Sequence, residues 1–212
     1  MKCYCKQDAN GFYYVVEDVP EDKHELILTA FYKKHGDMFL KWYPADMPEK
    51  ELVVRNYERL APHIFSRTTV NWENALDTFC TIAKRNAINF IVDGSVSACL
   101  HGTAIMPTDI DIVVDMTDFE KTKTVFREYT IEPLMRYDNL LLSNYFGRLC
   151  IDNVWIDIDA HPKKGHEIKN IDVKCWNGHI IYVRSLRECL ETYKVMGKNK
   201  YIAEIEECLR KT

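Results

Sequence analysis

Two segments of the chain alternate acidic and bulky apolar residues: Thr108-Asp109-Ile110-Asp111-Ile112 and Trp155-Ile156-Asp157-Ile158-Asp159. On a β-strand, residues i and i+2 share a face. Both acids of each segment therefore point one way while the isoleucines point the other. Ile110, Ile112, Val113 and Val114 belong in a buried strand, where unpaired acids are costly. Two like charges so close repel, and a cation removes that cost. Carboxylate pairs with open positions suit Mg²⁺, which binds through one or two carboxylates plus phosphate oxygens. An acid of the later strand, Asp157 or Asp159, completes a three-carboxylate site with Asp109 and Asp111 that has room for two magnesium ions.

A third feature is Gly94-Ser95, which follows the short strand 89–93 and precedes a short helix over Val96 to His101 that stops at Gly102. Backbone N–H groups at such a turn can hold phosphate oxygens, and the serine adds a donor. The flanking pattern predicts strand and helix in mixed order. Residues 11–16 and 38–43 read as strands closed by Pro20 and Pro44. The span from Pro20 to Lys34 reads as a turn followed by a strand or short helix, and 48–65 as a helix. Asn71 caps a second helix reaching Lys84. Thr117 caps a third, to about Tyr129. Strands over 140–151 and 154–160 flank an Asp152-Asn153 turn, a hairpin signal. Ile180–Val183 is one more strand, and two helices, 185–196 and 199–210, meet at Gly197.

With 212 residues, 8 glycines and 7 prolines, the chain has neither low-complexity linkers nor a collagen-like stretch. No apolar run approaches the ~20 residues of a membrane span, and the N-terminus does not read as a signal peptide. The eight cysteines mostly sit in apolar segments, and in this context they read as reduced thiols of a cytoplasmic protein. Net charge is −4, which speaks against a general nucleic-acid coat. Its distribution is uneven. Residues 71–162 hold 7 basic and 14 acidic groups, and residues 163–212 hold 11 and 7. An acidic centre beside a basic tail can hold a cation and an anion together.

Gly94-Ser95, then Asp109-x-Asp111, then a later strand acid resembles the signature of the DNA polymerase β-like nucleotidyltransferase superfamily. Ile91 to Gly102 is similar to the same segment of its small bacterial members, the antibiotic nucleotidyltransferases and the AbiEii-class toxin nucleotidyltransferases. Leu190 to Lys194, Gly197 to Lys200 and Glu204 look like their helical tail motif. The similarity spans roughly residues 72–210. The chain departs from the pattern at Ile105, Pro107, Lys198 and Tyr201.

The resemblance implies an α+β fold, a small mixed β-sheet with helices on one face, and phosphoryl transfer. Two Mg²⁺ on Asp109, Asp111 and the third acid would bridge the phosphates of a nucleoside triphosphate such as ATP and activate an acceptor hydroxyl. Nucleoside monophosphate would be transferred and pyrophosphate released. Gly94 and Ser95 would hold the β- and γ-phosphates, and Lys194 and Lys198 would balance triphosphate charge. Counting from the 152–153 turn favours Asp157 as the third metal ligand. The string Asp159-Ala160-His161-Pro162 resembles that of some antibiotic-modifying relatives and favours Asp159, with His161 on the acceptor side. His101 reads as helix-end packing. Asp93 and Asp115 are left out of the site on parity or position.

Residues 1–66 match no named family and read as a β-rich extension ending in a helix, ahead of a nucleotidyltransferase-like unit over 67–212. The extension is an acceptor-binding lobe, a dimer contact or a small core of its own. The resemblance implies an aminoglycoside-like small molecule as the acceptor. The alternatives are a toxin-type enzyme acting on tRNA or protein, and a non-catalytic module that binds Mg-NTP.

Overall fold

The computed structural model describes residues 1–9, 11–66, 70–137, 140, 143–164 and 167–211, with only the backbone of His161. Strands β1 (Lys2–Asp8), β2 (Gly11–Glu17), β3 (Lys33–His35) and β4 (Met38–Tyr43) form an antiparallel sheet in the order β1-β2-β4-β3. A 3-10 turn and the short helix α1 (His24–Thr29) link β2 to β3. Helix α2 (Lys50–Ser66) packs on this sheet, with Val53, Tyr57, Ala61 and Ile64 at helical spacing on its buried side.

The second half begins with α3 (Trp72–Arg85), whose N-cap Asn71 accepts a hydrogen bond from the Asn74 amide. It continues through β5 (Phe90–Asp93), α4 (Gly94–Leu100), β6 (Ile110–Val114), α5 (Met116–Val125), β7 (Thr130–Arg136), β8 (Ser143–Ile151) and β9 (Val154–Pro162). Then follow β10 (Ile171–Trp176), β11 (His179–Arg184), α6 (Leu186–Val195) and α7 (Asn199–Lys211). The seven strands make one mixed sheet, β10-β11-β5-β6-β9-β8-β7, parallel at β11–β5 and β6–β9 and antiparallel elsewhere. The α+β class and mixed sheet expected from the sequence are observed.

Several boundaries differ from those expectations. Helix α4 starts at Gly94, two residues early, because Asp93 accepts the Gly94 N–H and caps it. Asp115, not Thr117, occupies the cap position of α5, which ends at Val125. Strand β7 has no clean alternation to reveal it: Pro133 lies inside it, and the pairing with β8 shifts register on both sides of Glu132. The β8–β9 turn is as read, with Asp152 and Asn153 both at positive φ.

The sheet is covered on both faces, whereas one helical face was expected. Ile110, Ile112, Val114, Ile156, Ile158 and Ala160 meet α3 and α5 in the largest core. On the opposite face, Ile131, Cys150 and Trp155 are buried with Tyr14, Tyr43, Tyr57 and Phe65 of the N-terminal unit. That unit therefore has no separate core of its own: part of the central sheet completes it. A third cluster joins α4, α6 and α7 through Ala98, Leu186, Leu190, Tyr193 and Ile205. The boundary expected at 66/67 adjoins residues 67–69, outside the described residues. All eight cysteines are thiols, with no disulfide among the described residues. Among the described residues no helix is long and apolar enough to cross a membrane.

Candidate active site

Register aligns the acids across the sheet. Asp93 pairs with Asp111, Asp111 with Asp157, Asp157 with Arg148, and Arg148 with Glu132. Val183 pairs with Val92, so Arg184 falls beside Asp93. Directly opposed residues project from the same face. One row of charged side chains thus crosses six strands, from β11 to β7: Arg184, Asp93, Asp111, Asp157, Arg148, Glu132.

Most of the row is paired. Arg184 Nε lies 2.8 Å from Asp93 Oδ1. Arg148 grips Asp157 with two bonds, Nε to Oδ1 at 2.5 Å and Nη2 to Oδ2 at 2.8 Å. Its Nη1 donates to Glu132 Oε1 at 3.0 Å. Lys41 of β4 reaches in from the N-terminal sheet and donates to Glu132 Oε2 at 2.6 Å. Burial alone would raise Glu132; the charges of Arg148 and Lys41 outweigh it and hold its pKa below the ordinary value.

Asp111, at the centre of the row, has an acid on either side. Burial pushes its pKa well above the usual carboxylate range, and Asp109, Asp157, Asp93 and Asp159 push it further. Asp109, just before β6, is raised by burial and then by Asp157, while Arg148, Lys198 and the Thr108 hydroxyl pull the other way. Asp159 is raised to about 7, mainly by burial, against a 2.5 Å hydrogen bond from Ser143.

Gly94 lies against this centre. Its φ is +60°, and a Cβ there would stand 1.8 Å from Asp111 Oδ2, so only glycine lets the chain pass. Ser95 is 6% exposed, and among the described residues its buried hydroxyl has no hydrogen-bond partner. The Gly94 N–H is already taken by Asp93 Oδ1 at 2.6 Å. Of the two residues expected to hold phosphate, Ser95 therefore has the free donor.

The α6–α7 turn supplies the basic side. Lys198 Nζ sits 5.6 Å from the Tyr201 ring centre and 5.9 Å from that of Tyr193, and its charge reaches Asp109. Burial raises the Tyr193 phenol, and Asp111 raises it further. Lys194 pairs instead with Glu191 at 2.9 Å on the outer side of α6. His101 meets the Arg184 carbonyl oxygen at 3.0 Å through Nε2, a packing role. The side chain of His161 lies outside the described residues.

The residues fit magnesium through two carboxylates rather than through a ready-made cage. Both oxygens of Asp157 are held by Arg148, and among the described residues no three His, Cys, Asp or Glu side chains converge to hold a metal. Among the described residues no arginine or lysine side chain bonds to Asp109 or Asp111, and their repulsion is what a cation relieves.

Sequence reading missed Asp93, which belongs to the row, and also Arg148, Arg184, Glu132, Lys41, Tyr193 and Tyr201. A signal existed for two of them. Lys41 lies between Phe39 and Tyr43, and Arg148 between Phe146 and Cys150, on strand positions whose neighbours at i±2 are buried and apolar.

The fold is that of the nucleotidyltransferases. It resembles a candidate nucleotidyltransferase of Thermotoga maritima, with a TM-score of 0.53 and 20% identity over 66% of this chain and 94% of that one. The antibiotic-resistance factor ANT(2'')-Ia, in a complex with adenylyl-2''-tobramycin, superposes at a TM-score of 0.48 with 9% identity, over 67% of this chain and 90% of that one. An antigenic nucleotidyltransferase-like protein of Paracoccidioides brasiliensis does so at 0.43 with 11% identity, over 65% and 74%. No family model and no curated protein matches the chain.

Proposed function

We propose that this protein transfers a nucleoside monophosphate from a magnesium-bound nucleoside triphosphate to an acceptor hydroxyl. The observation that carries this reading is the Asp109–Asp111 pair, which no arginine or lysine side chain grips among the described residues, on the strand between the arginine-paired Asp93 and Asp157 and against Gly94, which Ser95 follows. Magnesium bound to Asp109 and Asp111 would neutralise phosphate charge and polarise the α-phosphate for attack. Ser95 donates to a phosphate oxygen. Lys198, on the solvent side, balances the triphosphate. Tyr193 and Tyr201 form an edge-to-face pair that walls this side and offers a surface for a base.

Two adjoining cavities on the same sheet face support a site for the acceptor. A small recess lined by Asp93, Ser143, Asp159 and Arg184 shares Val113, Pro162 and Ile168 with a groove of about 610 Å³. Ile91, Ile171 and Tyr182 line that groove, a lining suited to a small molecule with apolar surface. Asp159, in the wall of the recess, is the group that would take the hydroxyl proton.

Thermal melting with each nucleoside triphosphate, with and without Mg²⁺, tests the reading on the wild type and on Asp109→Ala, because a ligand of the native state stabilises it by mass action. A Mg²⁺-dependent rise that Asp109→Ala loses supports the site, and α-labelled nucleotide then identifies acceptors. No rise with any triphosphate sinks it. A second reading, binding of Mg-NTP without transfer, is favoured by the grip of Arg148 on Asp157. It predicts the same melting shift with no label transferred to any acceptor.

A further inference from the structure

The charged row does not end at the edge of the central sheet. Lys41 lies on β4 of the N-terminal sheet, and its side chain is only 10% exposed. Its ammonium lies 5.4 to 5.8 Å from the ring centres of Phe31, Tyr32 and Tyr43 and also donates to the Ala30 carbonyl oxygen. From there ionic contacts run without a gap: Lys41 to Glu132, Glu132 to Arg148, Arg148 to Asp157. Glu132 and Arg148 are each 3% exposed at the side chain, so water screens the chain of contacts poorly. Arg148 stands 4.8 Å from the ring centre of Trp155, itself buried by the N-terminal unit.

We propose that the N-terminal sheet is a working part of the carboxylate site: Lys41 acts as a positioning residue through Glu132 and Arg148, and so sets how much negative charge Asp157 presents to a cation at Asp109 and Asp111. Arg148 divides its guanidinium between two acids. Lys41 satisfies one oxygen of Glu132 and leaves Arg148 free to hold Asp157 with two bonds. Without Lys41, Glu132 competes harder for Arg148, Asp157 is less neutralised, and the potential at Asp111 becomes more negative. Without the Glu132 charge, Arg148 and Lys41 both bear on Asp157 and the potential becomes more positive. The sign of the effect alternates along the chain of contacts. A purely structural role has no such alternation, because loosening the packing weakens the site whichever residue is changed.

This inference rests on the cation site proposed above. The probe is Mn²⁺ alone, titrated by electron paramagnetic resonance into the full-length protein. Lys41→Met, which replaces the stem with an apolar chain of similar length, tightens Mn²⁺ about threefold to tenfold, as one buried unit charge removed at this range would. Glu132→Gln weakens it by a similar factor, and the double variant returns close to wild type. Lys41→Arg keeps the charge and leaves Mn²⁺ affinity unchanged. If Lys41→Met does not fold, Lys41→Gln takes its place. Weakening by both single variants, or no change in either, overturns the proposal while leaving the cation site standing.

If the wild type binds no Mn²⁺, the functional reading falls, and a stability cycle still decides this one. Lys41→Met and Asp157→Asn change two residues that share no hydrogen bond or ion pair and are linked through Glu132 and Arg148. Melting shifts that fail to add demonstrate the coupling, and shifts that add overturn it.

Discussion

Asp111 and Asp157 stand directly opposite each other across the parallel β6–β9 pair, yet only Asp157 is held by an arginine. The sheet thus balances the acids at either side of its centre and leaves the middle one to be neutralised from outside. This asymmetry separates the acids that hold the fold from those free to hold a cation.

Asp111→Asn removes a carboxyl whose ionised form is disfavoured by burial and by four neighbouring acids. We expect a higher melting temperature than wild type in the absence of divalent ions, and nucleotide transfer reduced by at least ~100-fold, since even outer-shell changes at metal sites cost 10–100-fold. A variant that melts lower and transfers normally would assign Asp111 to the fold alone.

Arg148→Met leaves Asp157 and Glu132 buried without their shared partner. Breaking a buried pair from one side costs about 3–5 kcal/mol. Denaturant unfolding should show a loss of that order, and Mn²⁺ should bind the folded protein more tightly, because Asp157 turns from a neutralised neighbour into a third unbalanced acid.

Ser95 and Gly94 separate in sign. The Ser95 hydroxyl is buried without a partner, and such a group costs roughly 1–3 kcal/mol. Ser95→Ala should therefore hold or raise stability while weakening Mg-ATP binding measured by calorimetry. Gly94→Ala adds a left-handed backbone penalty of about 1–2 kcal/mol and drives a methyl into Asp111. It should lower both.

The pH dependence of the metal-free protein follows from the raised carboxylates. A carboxyl whose folded pKa lies above its unfolded value binds its proton more tightly in the native state. Its contribution favours folding at low pH and is lost as pH rises through the folded value. For Asp159 the window runs from about 4, the ordinary value, to about 7, and Asp109 and Asp111 act in the same direction. The melting temperature without Mg²⁺ should fall between pH 5 and pH 7.5, and Asp159→Asn should flatten that fall. A flat wild-type profile over this range would show that these acids are not protonated as the fold dictates. Added Mg²⁺ and ATP should reverse the slope.

The sequence by itself determined the strands that carry the acids and which face they share, because side-chain parity on a strand is a local property. It determined the Gly94-Ser95 junction, the Asn71 cap and the turn at Asp152-Asn153 for the same reason: each is set by the conformational preferences of a few adjacent residues. It did not reveal that Asp93 belongs to the row, since parity is defined within one strand and only the β5–β6 register puts Asp93 opposite Asp111. Nor did it reveal which acids are neutralised. Arg148 lies nine residues before Asp157, across a hairpin, while Lys41 lies 91 residues before Glu132, on a different sheet. Their signal was a charge on an otherwise apolar strand face, which marks a buried ion but not its partner. The tertiary structure decided the pairing, because the Coulomb energy of a buried charge depends on distance through space, and that distance is fixed only when the two sheets pack.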